Sequence, residues 1–166
     1  MDAAPGTYVF LLHNKTPIAV RVGRLREILF EPGYYLYVGS AFGPGGVRAR
    51  VLRHCRRQKS LHWHIDYLSA ATTPLGAWYC HAATPLEHDW AGLLQAMDGL
   101  LPILGFGCSD CQCVSHLFHT AVQPDLAQFP SLCSTPLRTL SYLSCPAQET
   151  NVKSELSPLL RRESWG

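Results

Sequence analysis

The chain has 166 residues, enough for one domain with its own core, and its 47% hydrophobic and 16% charged residues exclude a disordered composition. A formal net charge of +2 neither names nor excludes a nucleic-acid partner, but six basic residues and no acidic one fall between Arg48 and Lys59, a stripe able to track phosphates or simply to solvate a helix face. No run approaches the ~18 apolar residues of a membrane-spanning helix, no basic leader opens the sequence, and the seven cysteines are odd in number; this predicts a cytoplasmic protein with free thiols and no membrane partner.

In chain order, "GTYVFLL" (6–12) has the β-branched and aromatic content of a strand and ends in the turn "HNKTP". "IAVRVG" (18–23) alternates and is expected to be its hairpin partner. A third strand covers 34–38, where Tyr35 and Tyr37 share a face because side chains alternate with period two. The glycine-rich "GSAFGPGG" cannot be helical, and a helix follows over 47–57. Val47, Val51, Leu52 and Cys55 form its apolar side, with Arg50, Arg53 and Arg57 beside them.

"LHWHIDYLS" reads as at least partly helical, and "LGAWYCHAA" (75–83) as a strand. "TPLEHDWAGLLQAM" starts a helix, with Thr84 as cap, Pro85 at the first position and Glu87 completing a capping box. Leu86, Trp90, Leu93 and Met97 would be its buried side. "GFGCSDCQC" is a loop before the short segment "VSHLFH". The regular texture fades near residue 120. The expected architecture is an α+β sandwich over 1–119, a small, mostly antiparallel sheet flanked by helices, with 120–166 a low-order C-terminal extension.

"GTY" at Gly6-Thr7-Tyr8 and "YVG" at Tyr37-Val38-Gly39, followed by the arginine-bearing "GGVRARVLRH", resemble the GIY-YIG nuclease superfamily. The blocks "GYYLYVGSAFGPGG", "HWHIDYL" and "GFGCSDCQCVSHLF" are similar to one branch of it, with likeness reaching about His119. The resemblance implies a metal-dependent endonuclease fold with Tyr8, Tyr37, Arg50 and His54 in the site, Glu87 holding Mg²⁺ or Mn²⁺, and DNA as partner. Members of that branch occur alone or fused to DNA-repair glycosylase domains, which implies a role in repair or processing. Two departures stand out. The Tyr8–Tyr37 interval is wider than in the best-known members, so a longer hairpin is expected. The family's late asparagine has no counterpart among Asn14 and Asn151, leaving Ser109 or Asp110 for its place.

The chemistry suits these residue types. Phosphodiester hydrolysis needs an activated water, a cation on the phosphate oxygens and a donor for developing charge. One carboxylate with waters suffices for Mg²⁺, and an arginine fork matches a phosphate. A phenol with a pKa of about 10 is a poor base unless positive charge from a metal and Arg50 lowers it. Gly45 and Gly46 would let a phosphate backbone come close, with Arg48, Arg53, Arg57 and Lys59 contacting it.

Plainer readings stand beside each: sheet tyrosines, a capping glutamate, a surface arginine, and His54 as a helix histidine or a proton shuttle. His62, His64 and Asp66 suit either a metal or a buried hydrogen-bonded network. Cys111, Cys113 and His116, with Cys108 and His119 nearby, permit a zinc site, although the paired CxxC…CxxC spacing is absent and buried thiols are the simpler account. Three functions follow: a Mg²⁺-dependent DNA endonuclease, a non-catalytic nucleic-acid-binding module using the Arg48–Lys59 helix, and a zinc-stabilised interaction module.

Overall fold

A computed structural model of the chain describes residues 2–23, 27–124, 129–130 and 133–141. It is an α+β fold built on an antiparallel six-stranded sheet in the order β6-β7-β4-β1-β5-β8. The strands are β1 (Gly6–Asn14), β4 (Gly33–Ala41), β5 (Thr73–His81), β6 (Leu101–Pro102), β7 (Leu117–Thr120) and β8 (Arg138–Ser141). A small separate sheet pairs β2 (Ile18–Arg21) with β3 (Glu27–Phe30). The helices are α1 (Gly46–Cys55), α2 (His64–Ala71) and α3 (Glu87–Ala96).

Period-two alternation along β1 splits the core into two layers. Tyr8, Phe10 and Leu12 face α1, α2 and the β2–β3 hairpin, packing with Tyr35, Tyr37, Val47, Val51, Ile65, Leu68 and Phe106. Val9 and Leu11 face the other way, against Leu36, Val38, Trp78 and the Trp90, Leu94 and Met97 side of α3. Each fully buried Leu, Phe or Val contributes about 1.5–3 kcal/mol, so a central strand apolar on both faces anchors both layers.

The pairing of "IAVRVG" differs from expectation. β1 is matched residue for residue by β4, from Gly6↔Ala41 to Asn14↔Gly33, and bonds β5 on its other edge. The four residues of β2 would have left more than half of that edge unpaired in a buried sheet, a costly outcome for backbone groups. β2 and β3 instead fill the long interval between Tyr8 and Tyr37.

The sheet also continues past residue 119. Phe129 is fully buried against Trp78 and Trp90, and β8 adds to β5 from Gly76↔Ser141 to Tyr79↔Arg138. The predicted 120–166 extension therefore supplies an edge strand and a core aromatic; residues 142–166 lie outside the described residues. Among the described residues no helix is long and apolar enough to cross a membrane.

Candidate active site

The site lies where β4 outruns its neighbour. β7 pairs with β4 only from Tyr34 to Tyr37, and Val38 N–H then donates to the His116 carbonyl at 2.9 Å. A cleft of about 290 Å³ follows at this free edge, lined among others by Tyr8, Tyr37, Arg50, His54 and Glu87. β1, β4, α1 and α3 each deliver part of that set. Gly39 makes room for it: it is the register partner of Tyr8, and a Cβ there would sit 2.5 Å from the Tyr8 hydroxyl oxygen. The glycine of "YVG" is needed for the phenol's position rather than for an unusual backbone angle.

Behind the phenols lies a buried polar chain. Tyr8 Oη and His54 Nε2 are 2.8 Å apart, and His54 Nδ1 lies 3.6 Å from Asp66 Oδ1. Burial pushes His54 down to about 4, outweighing the Asp66 contact, so near neutral pH the ring is uncharged and, with its proton on Nδ1 towards Asp66, Nε2 accepts a hydrogen bond from the Tyr8 hydroxyl. Asp66 is fully buried at the start of α2. Burial alone would raise its pKa, but His54, the backbone N–H groups of His62 and Trp63 and the Arg53 guanidinium hold it well below the usual carboxylate range. The "HWHIDYL" block is thus a hydrogen-bonded network around Asp66, with His62 and His64 lining the cleft and His64 Nδ1 accepting from Gly107 N–H at 3.1 Å.

Two residues expected to meet DNA are engaged here instead. Arg53 Nη2 donates to Asp66 Oδ2 at 2.9 Å, and Lys59 Nζ donates to Ser69 Oγ at 2.6 Å while lying 3.7 Å from Asp66 Oδ1. A fully buried carboxylate needs compensating charge, and α1 is the nearest source. The basic stripe is reduced to the exposed Arg48, Arg56 and Arg57. Gly46 is likewise not a phosphate approach: a Cβ there would meet the carbonyls of Ala3 and Ala4, so its close contact is with the chain's own N-terminal segment. Gly45, with φ 79°, sits exposed at the head of α1.

Arg50 has a different environment. Its Cζ lies 4.0 Å from the centre of the Trp63 ring, and among the described residues no carboxylate pairs with its guanidinium. The expected activation of the tyrosines is not met by these groups alone. Burial pushes both phenols well above their ordinary value, and the lowering effect of Arg50 is smaller. In this state the phenols hold their protons.

Glu87 takes no part in a capping box. The N-cap is Leu86, whose N–H donates to Thr7 Oγ1 at 3.0 Å, so the threonine of "GTY" sets where α3 begins. Glu87 is the first helical residue and turns to the cleft. Ser40 Oγ donates to Oε2 at 2.5 Å, and His116 Nδ1 lies 3.0 Å from Oε1. Burial would raise this carboxyl, but His116 and Ser40 hold it below its usual value. Its side chain remains 21% exposed. Ser109 and Asp110 line the same cleft. Hard oxygen donors around a polar space of this volume are of the kind that fits a hydrated Mg²⁺ or Mn²⁺, and Glu87 and Asp110 are the carboxylates here that could hold one.

Alongside, His88, Cys111, Cys113 and His116 place one ligand atom each within 4.8 Å of all the others. His88 escaped the sequence reading because nothing local links a helical histidine to a Cys-x-Cys loop more than twenty residues away. Ser40 and Thr7 escaped it because their partners also lie far along the chain.

The fold and cleft define a small α+β protein with an ionisable site at an open sheet edge. The chain belongs to the family described as domain of unknown function DUF123, whose model matches residues 7–137. No curated protein and no solved structure matches it.

Proposed function

We propose that the cleft is a Mg²⁺- or Mn²⁺-dependent endonuclease site of the GIY-YIG kind, hydrolysing phosphodiester bonds in DNA. The observation that carries this reading is the meeting of Tyr8, Tyr37, Arg50, His54 and Glu87, from four separated elements, around one polar cleft. Buried sheet tyrosines without a site role have no reason to share a cavity with an arginine that, among the described residues, pairs with no carboxylate and with a partly exposed glutamate.

Arg50 binds the scissile phosphate through its guanidinium fork, held at the correct height by the Trp63 ring. Glu87 would hold the cation, which when bound would supply positive charge to the phosphate oxygens. Tyr8 Oη passes its proton to His54 Nε2 as it takes one from the attacking water, and Asp66 stabilises the imidazolium that results. This relay explains how a phenol with a raised pKa takes part: it never has to carry a full charge. Tyr37 lines the same cleft. A second depression of about 230 Å³, lined by Gly43, Pro44, Ala49, Arg50, Arg53 and Trp63, shares Arg50 and Trp63 with the first and would give a strand somewhere to run.

The test is incubation of the purified chain with nicked, flapped, branched and plain duplex DNA in Mg²⁺ or Mn²⁺. Metal-dependent cuts that disappear in Glu87→Gln and Tyr8→Phe support the reading. Equal trace cleavage by wild type and Glu87→Gln overturns it. Binding without cutting, insensitive to Glu87→Gln but lost with Arg48, Arg56 and Arg57, would favour the non-catalytic module.

A further inference from the structure

We propose that His88, Cys111, Cys113 and His116 form a closed tetrahedral zinc site that locks the loop between β6 and β7 to the first turn of α3. Two thiols and two imidazoles are the ligand set of structural zinc, and soft sulfur excludes Mg²⁺ from this position. The four ligand atoms already lie within 4.8 Å of one another. Cys111 Sγ is 3.5 Å from His116 Nε2, which equals the sulfur–nitrogen edge of about 3.5 Å that tetrahedral zinc requires from its usual bond lengths. Both cysteines are free thiols.

The loop is built to present them. Gly105 N–H donates to the Val114 carbonyl at 2.9 Å, and His116 N–H to the Phe106 carbonyl at 2.8 Å, closing the segment on itself. Phe106 is fully buried, but its neighbours from Gly107 to Val114 are half-buried or exposed and bury too little apolar surface to order a loop of this length unaided. Zinc supplies a strong cross-link from α3 to a loop otherwise held, among the described residues, by backbone bonds, the Phe106 ring, the Gly107–His64 and Ser115 hydrogen bonds and the His116–Glu87 contact.

His116 gives the site a second consequence, which rests on the proposed role of Glu87. Zinc on Nε2 leaves Nδ1 carrying the proton, and that atom lies 3.0 Å from Glu87 Oε1. A carboxylate–histidine–zinc chain of this type fixes ring and carboxylate together. His116 is then a positioning residue for Glu87, and the zinc holds it in place.

The full chain, purified under reducing conditions without chelator, should contain about one zinc per molecule by elemental analysis. Replacing it with Co²⁺ should give the intense visible bands of tetrahedral cobalt and a sulfur-to-cobalt charge-transfer band. In competition with a chromophoric chelator, Cys113→Ser and His88→Ala should each weaken zinc binding by about tenfold or more, while Cys108→Ser should not. No metal uptake by the wild-type chain, or a cobalt spectrum unchanged in the Cys111→Ser/Cys113→Ser double variant, overturns the proposal. Wild-type spectra decide the matter even where a variant fails to fold. Metal content is read without DNA, so a zinc-loaded chain that does not cut defeats the nuclease reading alone, and a cutting chain free of zinc defeats this one. For the link to Glu87, His88→Ala should raise the Mn²⁺ concentration for half-saturation, read by electron paramagnetic resonance, by about tenfold; unchanged Mn²⁺ binding in a zinc-free variant sinks the link.

Discussion

Asp66–His54–Tyr8 and Glu87–His116–Cys111 are both chains of carboxylate, imidazole and a third polar atom, yet their carboxylates live in different surroundings. Asp66 is fully buried and accepts from Arg53 and the backbone of His62 and Trp63, with His54 and Lys59 close by. Glu87 faces the cleft, accepts from Ser40 and has His116 beside it. The first carboxylate is surrounded by donors and cannot reach a ligand. The second retains coordination capacity on the open side. A carboxylate–imidazole pair therefore holds an interior together in one place and leaves a carboxylate accessible in the other.

The largest effect is expected from Asp66→Ala. It strands Arg53 and Lys59 beside an empty buried position and should cost about 3–5 kcal/mol in urea unfolding. A loss below about 1 kcal/mol would mean that Asp66 is not the interior hub described.

Next is the pH dependence of the His54 chain. The folded value of about 4 lies below the ordinary ~6.5, so the unfolded chain takes up the proton first. Stability from this group is complete above pH ~6.5 and is lost as pH falls towards 4, by about 3 kcal/mol in all. The depressed Asp66 acts in a more acidic window, below the ordinary carboxylate range. Denaturant midpoints at pH 7 and 5 should converge in His54→Gln; an unchanged slope would remove His54 as the titrating group.

Glu87→Gln should show the opposite profile to Asp66→Ala. Cleavage should drop about 100-fold or more, equivalent to roughly 2.7 kcal/mol, while the unfolding midpoint barely moves. If stability falls as steeply as for Asp66→Ala, the two carboxylates are not different in kind. The smallest effect belongs to Arg48→Ala. It should lower DNA binding less than about threefold and reduce the salt slope by about one.

Much of the fold was legible along the chain because strand and helix signatures are local. The β-branched and aromatic content of "GTYVFLL" and the period-two tyrosines of "YYLYV" marked two strands that fill the middle of the sheet, and the helical spacing of Val47, Val51 and Cys55 marked the buried side of α1. Leu52 was misplaced and His54 took a buried position, because a partner for a polar ring is invisible to periodicity. The candidate site was legible only through the resemblance, which named Tyr8, Tyr37, Arg50, His54 and Glu87 without saying how they meet.

Readable in the sequence were the menu of elements and the residue types able to do chemistry. Tertiary structure decided which charges were left over. Arg53 and Lys59 look no different from Arg50 in the sequence, yet they turn inward because Asp66 is buried at the start of α2, while Arg50 finds an indole ring and, among the described residues, no anion. Thr7, Ser40 and His88 acquire their roles only when β1, β4 and α3 are brought together. The reason is the range of the forces involved: backbone sterics and side-chain period act over a few residues, whereas the pairing of a buried charge or a metal ligand depends on atoms that become neighbours only after the chain has folded.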